Sequence, residues 1–326
     1  MRVSKHYGLE RLRRISIVEL RARLRRARSM NLGELSSESV TERIRRVMDG
    51  YATKTATICT NGVFRARVNP EPTKQFTNSS ELWYPPSSAV LFDGRFNRSG
   101  QTKFYVCNHP WAALLEVQPN VGDRITLLVI KSKRRAAEIT CTHVGLSAGK
   151  ERLDIKGTPH SANLADDPAF LNDLRTMGVE HKWHLIDEYL TQLAVALPVP
   201  NAAQDHYKAT NAAADVLSAI RSQQALIYPS VATNLNSYNL AMNSWVADEF
   251  FLPFETWQLE VVSHRPTLPG ALLARSGYFG VEVSARSERI EADGNIRWRV
   301  ADTVELVDLQ GAIRRAHAAH TGSEAA

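Results

Sequence analysis

Asp93-Gly94-Arg95-Phe96-Asn97-Arg98-Ser99-Gly100 is followed closely by Phe104-Tyr105-Val106 and then by Pro110-Trp111-Ala112-Ala113-Leu114-Leu115-Glu116. The three pieces read as a glycine-flanked turn, a short strand and a helix whose proline occupies a tolerated first-turn position. Their chemistry is unusual for so plain a unit. An arginine sits in the turn, a tyrosine in the strand, and a glutamate ends an otherwise apolar helical run. A carboxylate on the face of Ala112, Ala113 and Leu115 is costly to bury without a cationic or hydroxyl partner. From the residues alone, Arg95 and Glu116 read most simply as a structural ion pair.

On the N-terminal side, Val63-Phe64-Arg65-Ala66-Arg67-Val68 alternates like a strand, with Arg65 and Arg67 on one face at period two. Residues 69–88, rich in Pro, Ser and Asn, read as a surface loop. On the C-terminal side, residues 123–131 form a buried strand and 132–166 a loop-rich stretch. Residues 168–195 and 205–222 read as helices, and Ala225-Leu226-Ile227-Tyr228 as an apolar strand. Residues 257–263 and 279–300 read as strands, the second a hairpin turning at Asp293-Gly294-Asn295. The last five residues should fray. This is an α+β pattern in three segments: a basic helical 1–56, a mixed 57–245 and a β-rich 246–326.

Residues 1–50 hold 12 Arg and one Lys against six acids, a net of +7, while the remaining 276 residues net −1. Leu9, Leu12, Ile17, Leu20 and Leu24 form an apolar stripe opposite the arginines. Ser16-x-x-Glu19 and Ser39-x-x-Glu42 fit capping boxes, Asp49-Gly50 is a stop, and a break near Ile15 would split the segment. A basic helix of this kind can meet a phosphate backbone, but no aromatic stacking partner accompanies it, so it reads first as a solvated face. Its self-contained charge makes it look separable from any chemistry.

At 326 residues, 44% apolar and 23% charged, the chain has the length and balance to bury its own core. Cys59, Cys107 and Cys141 show no paired spacing and read as reduced thiols, as in a cytoplasmic protein. No run approaches the length of a membrane span, and the N-terminus lacks an apolar signal region. Dinucleotide-fold, phosphate-loop, zinc-protease and serine-hydrolase motifs are absent from the sequence. His181-x-x-His184 has no carboxylate or thiol cluster beside it, and His317 and His320 fall in a tail, so no metal site is expected.

The ordered set of motifs resembles the RES-domain proteins, named for an Arg, a Glu and a Ser. Gly94-Arg95-Phe96-Asn97 matches the family's GRWN-like turn, Tyr105 its strand tyrosine, and Ala112 to Glu116 its helix. Phe64-Arg65 matches an upstream aromatic-arginine pair. Tyr228-Pro229-Ser230 supplies the serine, and Asn239-Leu240-Ala241-Met242 a later strand; Tyr207, Thr210 and the run from Ala212 to Leu217 resemble the spacing helix. Phe96 replaces the usual Trp, Arg98-Ser99 stands where prolines are common, and an insertion is expected around 132–170.

The resemblance implies an ADP-ribosyltransferase-like split sheet with flanking helices. It implies an enzyme that takes NAD as substrate, with no separate cofactor, and cleaves its nicotinamide–ribose bond with water or phosphate as acceptor. Several members are toxins held by an Xre-like antitoxin; a homo-oligomer is also open. Protein ADP-ribosylation is an alternative, and a nucleic-acid or partner-binding protein with a vestigial site another. In the leading reading Glu116 stabilises the ribosyl cation, Arg65 and Arg95 bind diphosphate or ribose, and Tyr105 packs on the nicotinamide or ribose. Ser230 orients Glu116 or the ribose, while Asn97 and Asn239 help to bind NAD. Arg67 shares a strand face with Arg65, so the choice of Arg65 rests on the resemblance.

Overall fold

Ser16 divides the basic N-terminal segment. Its backbone is extended, and its Oγ accepts from the Glu19 amide at 3.0 Å, ending α1 (Val3–Arg14) and starting α2 (Ile17–Arg28). The next helix, α3 (Ser37–Val47), is capped by Ser36 rather than by Ser39. Ser36 Oγ accepts from the Ser39 amide at 3.2 Å, which starts the helix earlier than expected and leaves Glu42 to pair with Arg45 and Arg46. The computed structural model describes residues 3–52, 55–71, 74–134, 136–144, 168–196, 203–218, 223–233, 237–266 and 277–300. The expected tail histidines, the frayed end and most of the loop-rich stretch lie outside them.

The described residues form an α+β fold with one ten-stranded sheet. Its strands are β1 (Thr55–Thr60), β2 (Gly62–Val68), β3 (Lys103–Cys107), β4 (Arg124–Ser132), β5 (Ala137–His143), β6 (Ala225–Pro229), β7 (Tyr238–Asn243), β8 (Phe251–Pro266), β9 (Gly277–Ile290) and β10 (Ile296–Val300). The spatial order is β1-β5-β6-β7-β3-β2-β4-β8-β9-β10, and only β5 and β6 pair in parallel. The hairpin at 293–295 forms as expected, with Gly294 at φ +87°. Strand β5 lies inside the stretch 132–166, which reads from sequence as loop-rich. Its small and polar residues carry little local signal, and its neighbours β1 and β6 are distant in sequence.

Helix α4 (Pro110–Glu116) follows β3; α5 (Pro168–Thr176), α6 (Glu180–Val195) and α7 (Ala203–Ser218) follow β5, and a short α8 (Ser244–Phe250) links β7 to β8. The single helix expected over 168–195 is two, broken by Gly178 at φ +65°. Helices α5 to α7 join α1 to α3 in one apolar core that also takes in Phe96, Leu226, Tyr228 and Ala241. On the same face of the sheet, farther along it, α4 packs over Phe64 and Ala66 of β2 and over Trp257 and Leu259 of β8, while Phe104, Val106, Leu240 and Met242 face a separate core on the other side.

The N-terminal helices are therefore not separable. Leu12, Leu20, Val40 and Ile44 are fully buried. Lys208 Nζ donates to the Leu32 carbonyl at 2.9 Å, Trp183 Nε1 to Ala52 O at 2.9 Å, and the Tyr51 hydroxyl to Asp187 at 2.8 Å. Removal of residues 1–50 would strip one wall from this core. Ile44→Ala should cost about 2–5 kcal/mol of stability, whereas Arg43→Ala on the exposed face should stay within about 0.5 kcal/mol. Denaturant unfolding of the two variants beside the parent checks this, and equal stabilities would contradict the packing.

Candidate active site

Strands β2 and β3 are neighbours that barely pair. Phe64 opposite Cys107 is their single register position. Beyond it β2 is held by β4 and β3 by β7, so the facing edges part. A cleft of about 750 Å³ opens at this split. It is lined by Arg65, Arg67, Arg95, Tyr105, Cys107 and Glu116, with Tyr207, Gln118 and Asn239 among the other wall residues.

Each piece arrives there for a local reason. In the turn before β3, the Gly94 amide donates to Asn97 O at 2.8 Å, and a Cβ at Gly94 would lie 2.3 Å from Asn97 Oδ1. The Tyr105 hydroxyl locks this turn, accepting from the Phe96 amide at 2.9 Å and donating to Asn97 Oδ1 at 2.7 Å. Burial pushes the Tyr105 phenol up, which keeps that donor protonated. Helix α7 holds the turn from behind: Asn211 Nδ2 donates to Asn97 O at 3.0 Å, and Asp215 pairs with Arg98 at 2.6 Å. Arg98 also donates to Thr41 Oγ1 of α3 at 3.1 Å, so the basic segment braces the site.

Arg95 is not the ion-pair partner of Glu116. It donates to the carbonyls of Ala194 and Ala196 at the end of α6, where a helix C-terminus welcomes a cation. Glu116, expected on a buried apolar face, is exposed in the cleft. It ends α4 because Gln118 takes a left-handed conformation (φ 47°) and its amide caps Leu115 O at 3.1 Å. A carboxylate at a helix C-terminus is electrostatically disfavoured, so it needs donors. Ser230 Oγ supplies one to Oε1 at 2.6 Å and Asn239 Nδ2 another at 2.7 Å. Ser230 follows β6 and is itself fixed, its amide donating to Ser237 O at 2.9 Å and its Oγ accepting from the Thr233 amide at 3.3 Å.

Arg65 reaches across the split. Its Nη1 donates to the Tyr105 carbonyl on the unpaired edge of β3 at 2.6 Å, while its buried Nε has no partner. Burial, then the nearby Arg67 guanidinium, pulls the Arg65 side chain down to about 10. Cys107, Tyr105 and Tyr228 act on it next most strongly, and none of them is a carboxylate. Arg67 differs: it donates to the Glu81 carbonyl and feels the Glu81 charge at longer range. Among the described residues, no ion pair includes Arg65, Arg67 or Arg95.

Residues 63–261 match the RES domain, which is more than half of the sequence. The chain belongs to the RES-domain family. No curated protein matches it. RES domains are associated with NAD-related toxin–antitoxin systems. In this RES-domain protein the fold brings Arg65, Arg95, Tyr105, Glu116 and Asn239 to one cleft, with Ser230 buried directly behind Glu116. Asn97 is buried inside the turn and does not line the cleft wall. The histidines of His181-x-x-His184 lie on α6, away from the cleft, with His181 against Arg21 at 3.5 Å. Among the described residues, no helix is long and apolar enough to cross a membrane.

Sequence reasoning passed over Cys107 and Gln118. Cys107 was findable, since it shares a strand face with Tyr105 at period two. The left-handed Gln118 has no sequence marker. Tyr105→Phe should leave the Phe96 amide and Asn97 Oδ1 without their shared partner and cost about 1–3 kcal/mol. Urea unfolding against the parent measures this; an unchanged midpoint would mean that the hydroxyl does not hold the turn.

Proposed function

We propose that the chain cleaves NAD at the nicotinamide–ribose bond, using water or phosphate as acceptor. One observation carries the reading: three guanidiniums without carboxylate partners line the same cleft as one doubly anchored carboxylate. A buried cation that no acid compensates is costly unless a ligand supplies the anion. The diphosphate of a dinucleotide supplies it, and planar guanidiniums suit its paired oxygens. Arg65 carries this argument further than Arg67, because no carboxylate is prominent around it. The cleft volume also falls within the range of about 300–1,000 Å³ usual for small-molecule sites.

In this reading NAD enters as substrate. The bond between the pyridinium nitrogen and ribose C1 breaks, its electron pair passes to the ring nitrogen, and neutral nicotinamide leaves. An oxygen of water or phosphate then bonds to C1, and water loses a proton in doing so. The leaving group needs no general acid, so one carboxylate serves where sugar–sugar cleavage uses two. Glu116 Oε1 is held by Ser230 and Asn239, which leaves Oε2 to face the developing ribosyl cation. The half-buried Tyr105 ring flanks the same space. The parted, mixed sheet is compatible with an ADP-ribosyltransferase-like core. Depletion of NAD in the cytoplasm would make such an enzyme toxic, and an Xre-like antitoxin would be the partner that restrains it.

Glu116→Gln keeps an acceptor for Ser230 and Asn239 but removes the charge. Its turnover should fall about 10²–10³-fold, with NAD binding changed less, because the cation exists only in the transition state. The melting temperature should stay close to the parent's. Chromatography of the products, with and without phosphate, identifies the acceptor: ADP-ribose for water, its 1-phosphate for phosphate, labelled protein for transfer to protein. Intact NAD after prolonged incubation with the parent protein would overturn the proposal.

A further inference from the structure

Cys107 and Asn239 stand directly opposite each other in the β3–β7 ladder, so their side chains share a face. Cys107 Sγ donates to Asn239 Oδ1 at 3.0 Å, and Asn239 Nδ2 donates to Glu116 Oε1 at 2.7 Å. Both Cys107 and Asn239 are nearly inaccessible, at 5% and 3% exposure, so water is a poor substitute for either contact. A primary amide has an acceptor end and a donor end, exchanged by a half-turn about its terminal bond. Reversed, Asn239 would turn Oδ1 toward the Glu116 carboxylate, oxygen against oxygen. The correct end is selected by whatever donates to Oδ1, and among the described hydrogen bonds that donor is the Cys107 thiol.

We infer that Cys107 is a positioning residue of the cleft: its S–H orients the Asn239 amide, which in turn presents Nδ2 to Glu116 and fixes the direction of the carboxylate. This rests on the reading of Glu116 as the group that faces the ribose. Burial, with Glu116 close by, pushes the Cys107 thiol up, so it keeps the proton it donates and is a poor nucleophile. The other two thiols belong elsewhere. Cys59 is exposed on β1 and Cys141 is buried on β5, neither at the cleft. Ser230 holds the same carboxylate oxygen from the β6 side, so loss of Cys107 leaves Glu116 with one secure donor rather than none.

Cys107→Val, which has similar volume and no donor, should lower kcat for nicotinamide release about tenfold while the KM for NAD moves about twofold or less. Cys107→Ser, which restores a donor, should recover most of the loss. If both variants lose the same activity, or if activity tracks melting temperature alone, Cys107 is only a packing residue and the inference fails. A second measurement is independent of turnover. The side-chain amide ¹H–¹⁵N resonances of Asn239, assigned by their loss in Asn239→Asp, should move in Cys107→Val and return in Cys107→Ser; resonances unmoved by Cys107→Val overturn the inference. Should Cys107→Val not fold, Cys107→Ala serves with the same readouts. A parent protein that releases no nicotinamide defeats the proposed function, while the amide resonances still decide whether the thiol orients Asn239.

Discussion

The parting of β2 from β3 is the constraint on which the rest of the structure depends. A sheet interior normally satisfies every backbone group through its ladders, and an unpaired edge inside a fold leaves orphan amides and carbonyls. Here one such carbonyl, that of Tyr105, is met by the Arg65 guanidinium. The same gap that costs sheet pairing creates the cleft and draws a cation into it. Arg65 thus links the two roles: it stitches the split and charges the opening.

Everything around the split keeps it from closing or collapsing. The turn of residues 93–100 lies over the α-helical core, pinned by the Tyr105 hydroxyl in front and by Asn211 and Asp215 of α7 behind. Helix α3 adds Thr41 through Arg98. The basic N-terminal segment is consequently structural to the site, although none of its residues lines the cleft. Four of its arginines, Arg11, Arg23, Arg45 and Arg46, pair with Asp49, Glu19 and Glu42. Such exposed pairs contribute little to stability, about 0–1 kcal/mol each; the buried leucines and isoleucines do the holding.

The carboxylate illustrates how position and chemistry are reconciled. A glutamate at the C-terminal end of a helix meets the wrong pole of the helix dipole. Two donors, Ser230 just after β6 and Asn239 of β7, offset this and constrain a single oxygen, Oε1. The result is an anion of fixed direction in a cleft whose other charged wall residues, Arg65, Arg67 and Arg95, are cations, yet not within ion-pair reach of any of them among the described residues. That separation distinguishes the arrangement from a structural salt bridge, in which the charges would neutralise each other.

Much of this was legible in the sequence. Local patterns marked β2, β3, α4, β4 and the 293–295 hairpin, because alternation, a first-turn proline and an Asp-Gly-Asn turn are short-range signals. The ordered motifs around Arg95, Tyr105, Glu116 and Ser230 marked the family. Other features had no local marker. β5 is a strand because β1 and β6 flank it, and α3 starts at Ser37 because Ser36, not Ser39, adopts the extended cap conformation. The sequence could suggest that Arg95 and Glu116 pair, since opposite charges near an apolar helix invite it. Only the tertiary structure decided that Arg95 turns to the carbonyls ending α6 while Glu116 is held by Ser230 and Asn239. The physical reason is distance along the chain: residues about a hundred or more positions apart meet through the packing of strands and helices, which no local pattern encodes.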